Sequence, residues 1–134
     1  MQETDALRRE IAGRPEPASR RLTSLIVELH RLNKAKLTDE HRLFDMVEVA
    51  MEENWPAIEQ HCECVVCQIA RIVTDGIATG EFRAVDVPEF AKTAFEASAK
   101  AIHPTMIAQC ARFEDDQEDQ ARRIAGLILA ALRP

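Results

Sequence analysis

Residues 69–91 read IARIVTDGIATGEFRAVDVPEFA, a helix end, a tight reversal and a capped helix start in one run. Ile69, Ile72, Val73 and Ile77 recur at helical spacing with Gly76 among them, and Gly80 falls where the chain needs a left-handed residue to leave the helix. Phe82 is then placed to fold back onto the core. Asp86 with Glu89 three residues later forms a capping box, and Pro88 in that first turn removes a backbone donor that would have no helical partner. Two helices therefore meet at a fixed turn.

Working outward toward the N terminus, the helix that ends at about Thr79 buries Ile58, Cys62, Val65, Ile69, Ile72 and Ile77, and Asn54 to Pro56 marks its start. Before it, Thr38, Asp39 and Glu40 read as a helix start, with Leu43, Phe44, Val47, Ala50 and Met51 inward. Residues 19–32 carry Leu22, Leu25, Ile26, Leu29 and Leu32 as an apolar stripe, with Arg20, Arg21, Glu28 and Arg31 on the other side. Residues 4–12 make a short helix closed by Gly13, Pro15 and Pro17. Residues 1–18 thus read as a residual helix and linker ahead of one helical domain, 19–134.

Toward the C terminus, residues 87–112 read as one long helix bent or restarted at Pro104. Its apolar positions are mostly small: Ala91, Ala94, Ala97, Ala99 and Ala101 admit a close neighbour, while Phe90, Phe95, Ile102, Met106 and Ile107 fill larger gaps. Asp115 and Glu118 form a second capping box opening a final helix, 115–133, which ends in IAGLILAALR. Apolar residues lie on nearly all its sides, so something must cover a second face.

Only four glycines, no tyrosine and no run of period-two alternation leave an all-α chain, and 134 residues are enough for one domain with a real core. The longest apolar run, 124–132, is too short to cross a bilayer, and no charged-then-apolar leader opens the sequence. A cytoplasmic protein is expected. Residues 1–36 hold eight Lys or Arg against five Asp or Glu, whereas the remainder holds nine against eighteen. A body this acidic repels phosphates, so DNA contact by this chain alone is not expected. Solvated helix faces explain the asymmetry equally simply.

The order helix, GI-x-x-GEFR, short link, D-x-P-E and Ala-rich helix resembles the C-terminal regulatory half of TetR-type (tetracycline-repressor-like) bacterial transcription regulators. The resemblance runs from about Leu22 to the C terminus. It implies an antiparallel helical bundle whose last two long helices pair with their copies in a homodimer; Ala94, Ala97, Ala101, Ile124, Leu127, Ile128, Leu129 and Leu132 would form that interface. It implies also a small-molecule effector between the helices, for which Met46, Met51, Trp55, Phe95, Ile102, Met106 and Ile107 are the candidate lining. Core packing accounts for most of these residues as well. Such regulators begin with a helix-turn-helix domain, and no such pattern precedes Leu22. DNA would then be reached only through an N-terminal domain absent from this chain.

Metal chemistry offers two further readings. His61, Cys62, Cys64 and Cys67 are zinc-type ligands, but on a helix Cys62 points nearly opposite to Cys64 and Cys67, so helical cysteines in a reducing compartment are the simpler reading. His41 and Asp45, with Glu48 a turn on, share one helix side. With His61 and His103 they could converge on a divalent ion such as zinc or nickel, or simply form wet faces. No Gly-rich phosphate loop, G-x-S-x-G elbow, H-E-x-x-H or Glu-x-x-His pair occurs, and nothing local activates Cys110 near His103. The expectation is a non-enzymatic regulatory domain. Its rivals are a stand-alone helical homodimeric interaction protein without effector and a metal-binding sensor.

Overall fold

The computed structural model describes residues 2–39, 55–102, 106 and 117–134. The described residues are helical with no strand among them: α1 Gln2–Ala12, α2 Ala18–Asp39, α3 Trp55–Ala78, α4 Val87–Ile102 and α5 Gln117–Leu132. α2 is the central element, packed on all four others, and α3, α4 and α5 close around it in the order α3 on α4 and α4 on α5. The fold is all-α.

One hydrophobic core runs through all five helices. α2 supplies Leu22, Leu25, Ile26, Val27 and Leu29; α3 supplies Val65, Ile69, Ile72 and Val73; α5 places Ala121, Ala125, Ile128 and Leu132 along one face at spacings of three and four. Small residues do the work on α4, where Ala91, Ala94, Ser98 and Ala101 are buried and let neighbours approach. The Ser98 hydroxyl is satisfied locally, donating to the carbonyl of Ala94 at 2.8 Å.

Three expectations change. The first eighteen residues are not a linker outside the domain: Ile11 and Ala12 are fully buried, and α1 packs on both α2 and α3. Thr38 and Asp39 do not start a helix but belong to the last turn of α2, because the helix-favouring run after Leu32 contains no breaker. Arg21 is not on a wet face. It is buried, donating to the Ala12 carbonyl at 2.6 Å and pairing with Asp75 at 2.9 Å, so it closes the C-terminal end of α1 and ties it to α3.

The reversal between α3 and α4 is built as its residues suggest. Gly80 has φ of 81°, the left-handed conformation in which a Cβ is strained. Phe82 returns to the core, its amide donating to the Gly76 carbonyl at 3.0 Å and its ring lying over Gly76. A Cβ on Gly76 would sit 2.1 Å from that ring, so the glycine is there to admit the phenyl. The Asp86 carboxylate accepts from the Glu89 amide at 3.3 Å and its carbonyl from the Phe90 amide at 2.8 Å, which caps α4.

Candidate functional site

The segment 80–83 does more than turn the chain. α2 begins after Pro17, which offers no side-chain acceptor for the first helical amides. The Glu81 carboxylate accepts from Ala18 N at 2.8 Å and Ser19 N at 2.9 Å instead. Burial works to raise the Glu81 pKa, but the hydrogen bonds from Ser19 and Ala18 hold it below the usual carboxylate value. Arg83 serves the opposite end of α5, its amide donating to the Leu132 carbonyl at 2.9 Å and its Nε to the Ala131 carbonyl at 2.8 Å. Gly80, Glu81, Phe82 and Arg83 are thus a structural clasp joining α2, α3 and α5.

The residues read as a dimer interface fall into two sets. Ala94, Ala101, Ile128 and Leu132 are buried within the chain itself, because α4 and α5 pack on each other and on α2. Their side chains are already occupied. Ala97 is exposed on α4, Ile124 and Leu129 are half-buried, and Leu127 is 70% exposed. On the outer side of α5, Arg123, Leu127 and Ala130 stand exposed at i, i+4 and i+7 with Gly126 beside them, and nothing lies within 4 Å of a Cβ built on Gly126. Beyond Arg123 this strip is apolar, and among the described residues nothing covers it.

Among the residues read as pocket lining, Phe95 is half-buried, Ile102 buried and Met106 37% exposed. Trp55 opens α3. Met46, Met51 and Ile107 lie outside the described residues, as do His41, Asp45, Glu48, His103 and Cys110. His61 lies on α3 by its backbone. Cys62 and Cys64 are half-buried and Cys67 exposed. Cys64 meets the buried Arg8 of α1, whose guanidinium burial pushes its pKa down while the thiol beside it pulls the other way. Among the described residues no group of three or more His, Cys, Asp or Glu is placed to hold a metal ion. A hollow of about 500 Å³, open to solvent, runs along the start of α4 between Arg83, Asp86 and Thr93. It involves none of the expected lining.

Among the buried polar residues that sequence reading missed is His30. It is 1% exposed on α2, and its Nδ1 lies 2.7 Å from the Ala101 carbonyl of α4. A carbonyl only accepts, so Nδ1 carries a proton, and in the neutral imidazole Nε2 then carries the lone pair. Among the described residues Nε2 has no hydrogen-bond partner. Burial holds the pKa below the ordinary imidazole value, opposed by the Ala101 bond and reinforced by Lys34. The signal was present, since Leu22, Ile26 and His30 are spaced by four along the apolar stripe. His30 was simply not read as part of it.

Residues 18–124 match the family described as tetracyclin repressor-like, C-terminal domain. The chain belongs to that family. The matched span takes in α2, α3, α4, the clasp that joins them and the first half of α5. No curated protein and no solved structure matches the chain. No helix among the described residues is long and apolar enough to cross a membrane.

Proposed function

We propose that this chain is the effector-sensing and dimerisation domain of a TetR-like transcription regulator, acting in the cytoplasm and without enzymatic activity. Family membership supports the class, and the outer face of α5 supports the dimer. Burying a leucine side chain is worth about 1.5–3 kcal/mol, and Leu127, 70% exposed, forgoes most of that in a single copy. A twofold partner laying its own α5 and the exposed edge of α4 on this face would recover it in both copies.

The mechanism is a population shift. An effector between the helices favours one arrangement of the segment from Leu22 to Thr79, and DNA-binding domains attached ahead of α1 then lose the spacing of adjacent half-sites. α1 is suited to transmit such a change, because it is packed into the core and fastened by Arg21 to both its own C terminus and α3. The acidic body leaves phosphate contact to the attached domains.

The reading is tested by fusing the chain behind a helix-turn-helix domain that holds its operator only as a dimer. The fusion is expected to bind a two-half-site operator far more tightly than the isolated domain, and Ala97→Glu to remove the gain. Binding no tighter than that of the isolated domain would overturn it.

A further inference from the structure

We propose that Cys64 and Cys67 of α3 form a peroxide-reactive dithiol at the seam between α1 and α3, and that Arg8 of α1 assists the attack by Cys64. The two cysteines stand three residues apart on one α-helix, which puts them on the same side one turn apart. Cys67 is exposed and Cys64 half-buried, so a molecule as small as hydrogen peroxide meets both from that side. Cys62 lies round the helix from them. Behind Cys64 is Arg8, 2% exposed, whose guanidinium donates a hydrogen bond to the Cys64 thiol and acts on Cys62 with a weaker effect. A cation held this deep against one thiol stabilises the negative charge that gathers on that sulfur, and on the departing oxygen, during attack on a peroxide. Cys67 has the exposure and position of the thiol that follows.

The Cys64 sulfur attacks one peroxide oxygen, the O–O bond breaks, and the departing hydroxide takes the thiol proton to leave as water, giving a sulfenic acid. The Cys67 sulfur then attacks the Cys64 sulfur, the S–O bond breaks, and hydroxide leaves with the Cys67 proton as a second water. Two thiols are oxidised to a disulfide while one peroxide is reduced to two waters. Side chains one turn apart have Cβ atoms about 5–6 Å apart, whereas a disulfide wants about 3.5–4.5 Å, so that turn of α3 must tighten to close the bond. A bond closed under such strain is readily reduced, as a transient signal in a reducing compartment requires. Closing it also takes the Cys64 thiol away from Arg8 and loosens the hold of α3 on α1. That consequence bears on DNA binding only under the regulator reading, in which the DNA-binding domains attach ahead of α1; the thiol chemistry does not depend on it.

The test treats the whole chain with hydrogen peroxide, blocks the remaining thiols with iodoacetamide after denaturation, and reads the mass. The wild type should lose two hydrogens and keep two of its four cysteines open to the reagent, with the loss mapped to the peptide that holds Cys64 and Cys67 and reversed by dithiothreitol. Cys67→Ser should stop at a sulfenic acid on Cys64, trapped by dimedone, and Cys64→Ser should form no link. Arg8→Gln should slow the first step roughly tenfold, about 1.4 kcal/mol, and Arg8→Lys, which keeps the charge, should restore much of the rate. Amide hydrogen exchange in α1 should quicken on oxidation and slow again on reduction. The proposal is overturned if the wild-type thiols react no faster than glutathione, or if the link runs through Cys62, Cys110 or a second copy. It is overturned also if dimedone labels Cys67 in Cys64→Ser as fast as Cys64 in Cys67→Ser, or if Arg8→Gln reacts at the wild-type rate. Unchanged exchange in α1 would overturn the coupling to that helix. The wild-type rate and the mapped link decide the matter even where an Arg8 variant fails to fold. A chain that closes the link yet sediments as a monomer keeps this site and loses the regulator reading; a dimer whose thiols ignore peroxide does the reverse.

Discussion

At the residue scale, the Gly76–Phe82 contact makes a prediction whose sign depends on its partner. Gly76→Ala places a methyl inside the Phe82 ring and should cost about 1–3 kcal/mol in urea denaturation. Phe82→Ala alone should cost about 3–5 kcal/mol. With Phe82 already truncated the clash is gone, so Gly76→Ala should become neutral or stabilise by up to about 1 kcal/mol through helix propensity. A Gly76→Ala cost that persists without the ring would show that the glycine serves something else. pH gives a second test. The folded state depresses the His30 pKa below 6.5, so the unfolded chain binds the proton first, and stability present above pH 6.5 is lost as pH falls below it. The wild type should therefore lose stability between pH 7.5 and 5.5, and His30→Asn should lose less. Glu118, held by Arg31 and Arg122, is depressed from 4.5 to about 2, so its contribution is present above pH 4.5 and disappears as pH falls toward 2. Glu118→Gln should flatten that acid limb of the denaturation profile. Gly80 and Asp86 were legible in the sequence because each role is set by local backbone chemistry. His30, Arg8 and Arg21 were not, because only the packing of distant helices decides whether a polar side chain on a helix is wet or enclosed.

At the scale of elements, Glu81 tests whether the turn after α3 organises helices distant in sequence. Glu81→Ala strips two amides at the start of α2 of the carboxylate that accepts from them and should lower stability by about 1–2 kcal/mol. Hydrogen exchange should locate the loss, with faster exchange in the first turn of α2 and unchanged exchange in the middle of α4. Uniform acceleration over all helices would mean that the clasp acts only on global stability. Helix positions were largely readable, since apolar spacing, Gly80 and the Asp86 cap fix α3 and α4 locally. The end of α2 was not: Thr38 and Asp39 carry capping chemistry, yet the helix runs through them because nothing before them breaks the backbone ladder. The role of Glu81 and Arg83 was hidden for a similar reason. A resemblance singled the residues out, but the helix ends they serve are 62 and 48 residues away and become visible only in three dimensions.

At the scale of the whole molecule, the account depends on the uncovered side of α5. The sequence indicated a helix too apolar to be covered by one chain, and the structure sharpens that into a division: Ala121, Ala125, Ile128 and Leu132 face inward, Leu127 and Gly126 outward. Of the expected interface, the inward residues are part of the core, and in the proposed dimer only the outward ones are left for association. Leu127→Glu should therefore leave the circular dichroism and the urea midpoint of the subunit nearly unchanged, whereas Ile128→Glu should unfold it. Sedimentation equilibrium at micromolar concentration is the most direct measurement of the central claim. The account predicts a dimer for the wild type and a folded monomer for Leu127→Glu and Ala97→Glu. A wild-type chain that stays a folded monomer at the highest accessible concentration would contradict it.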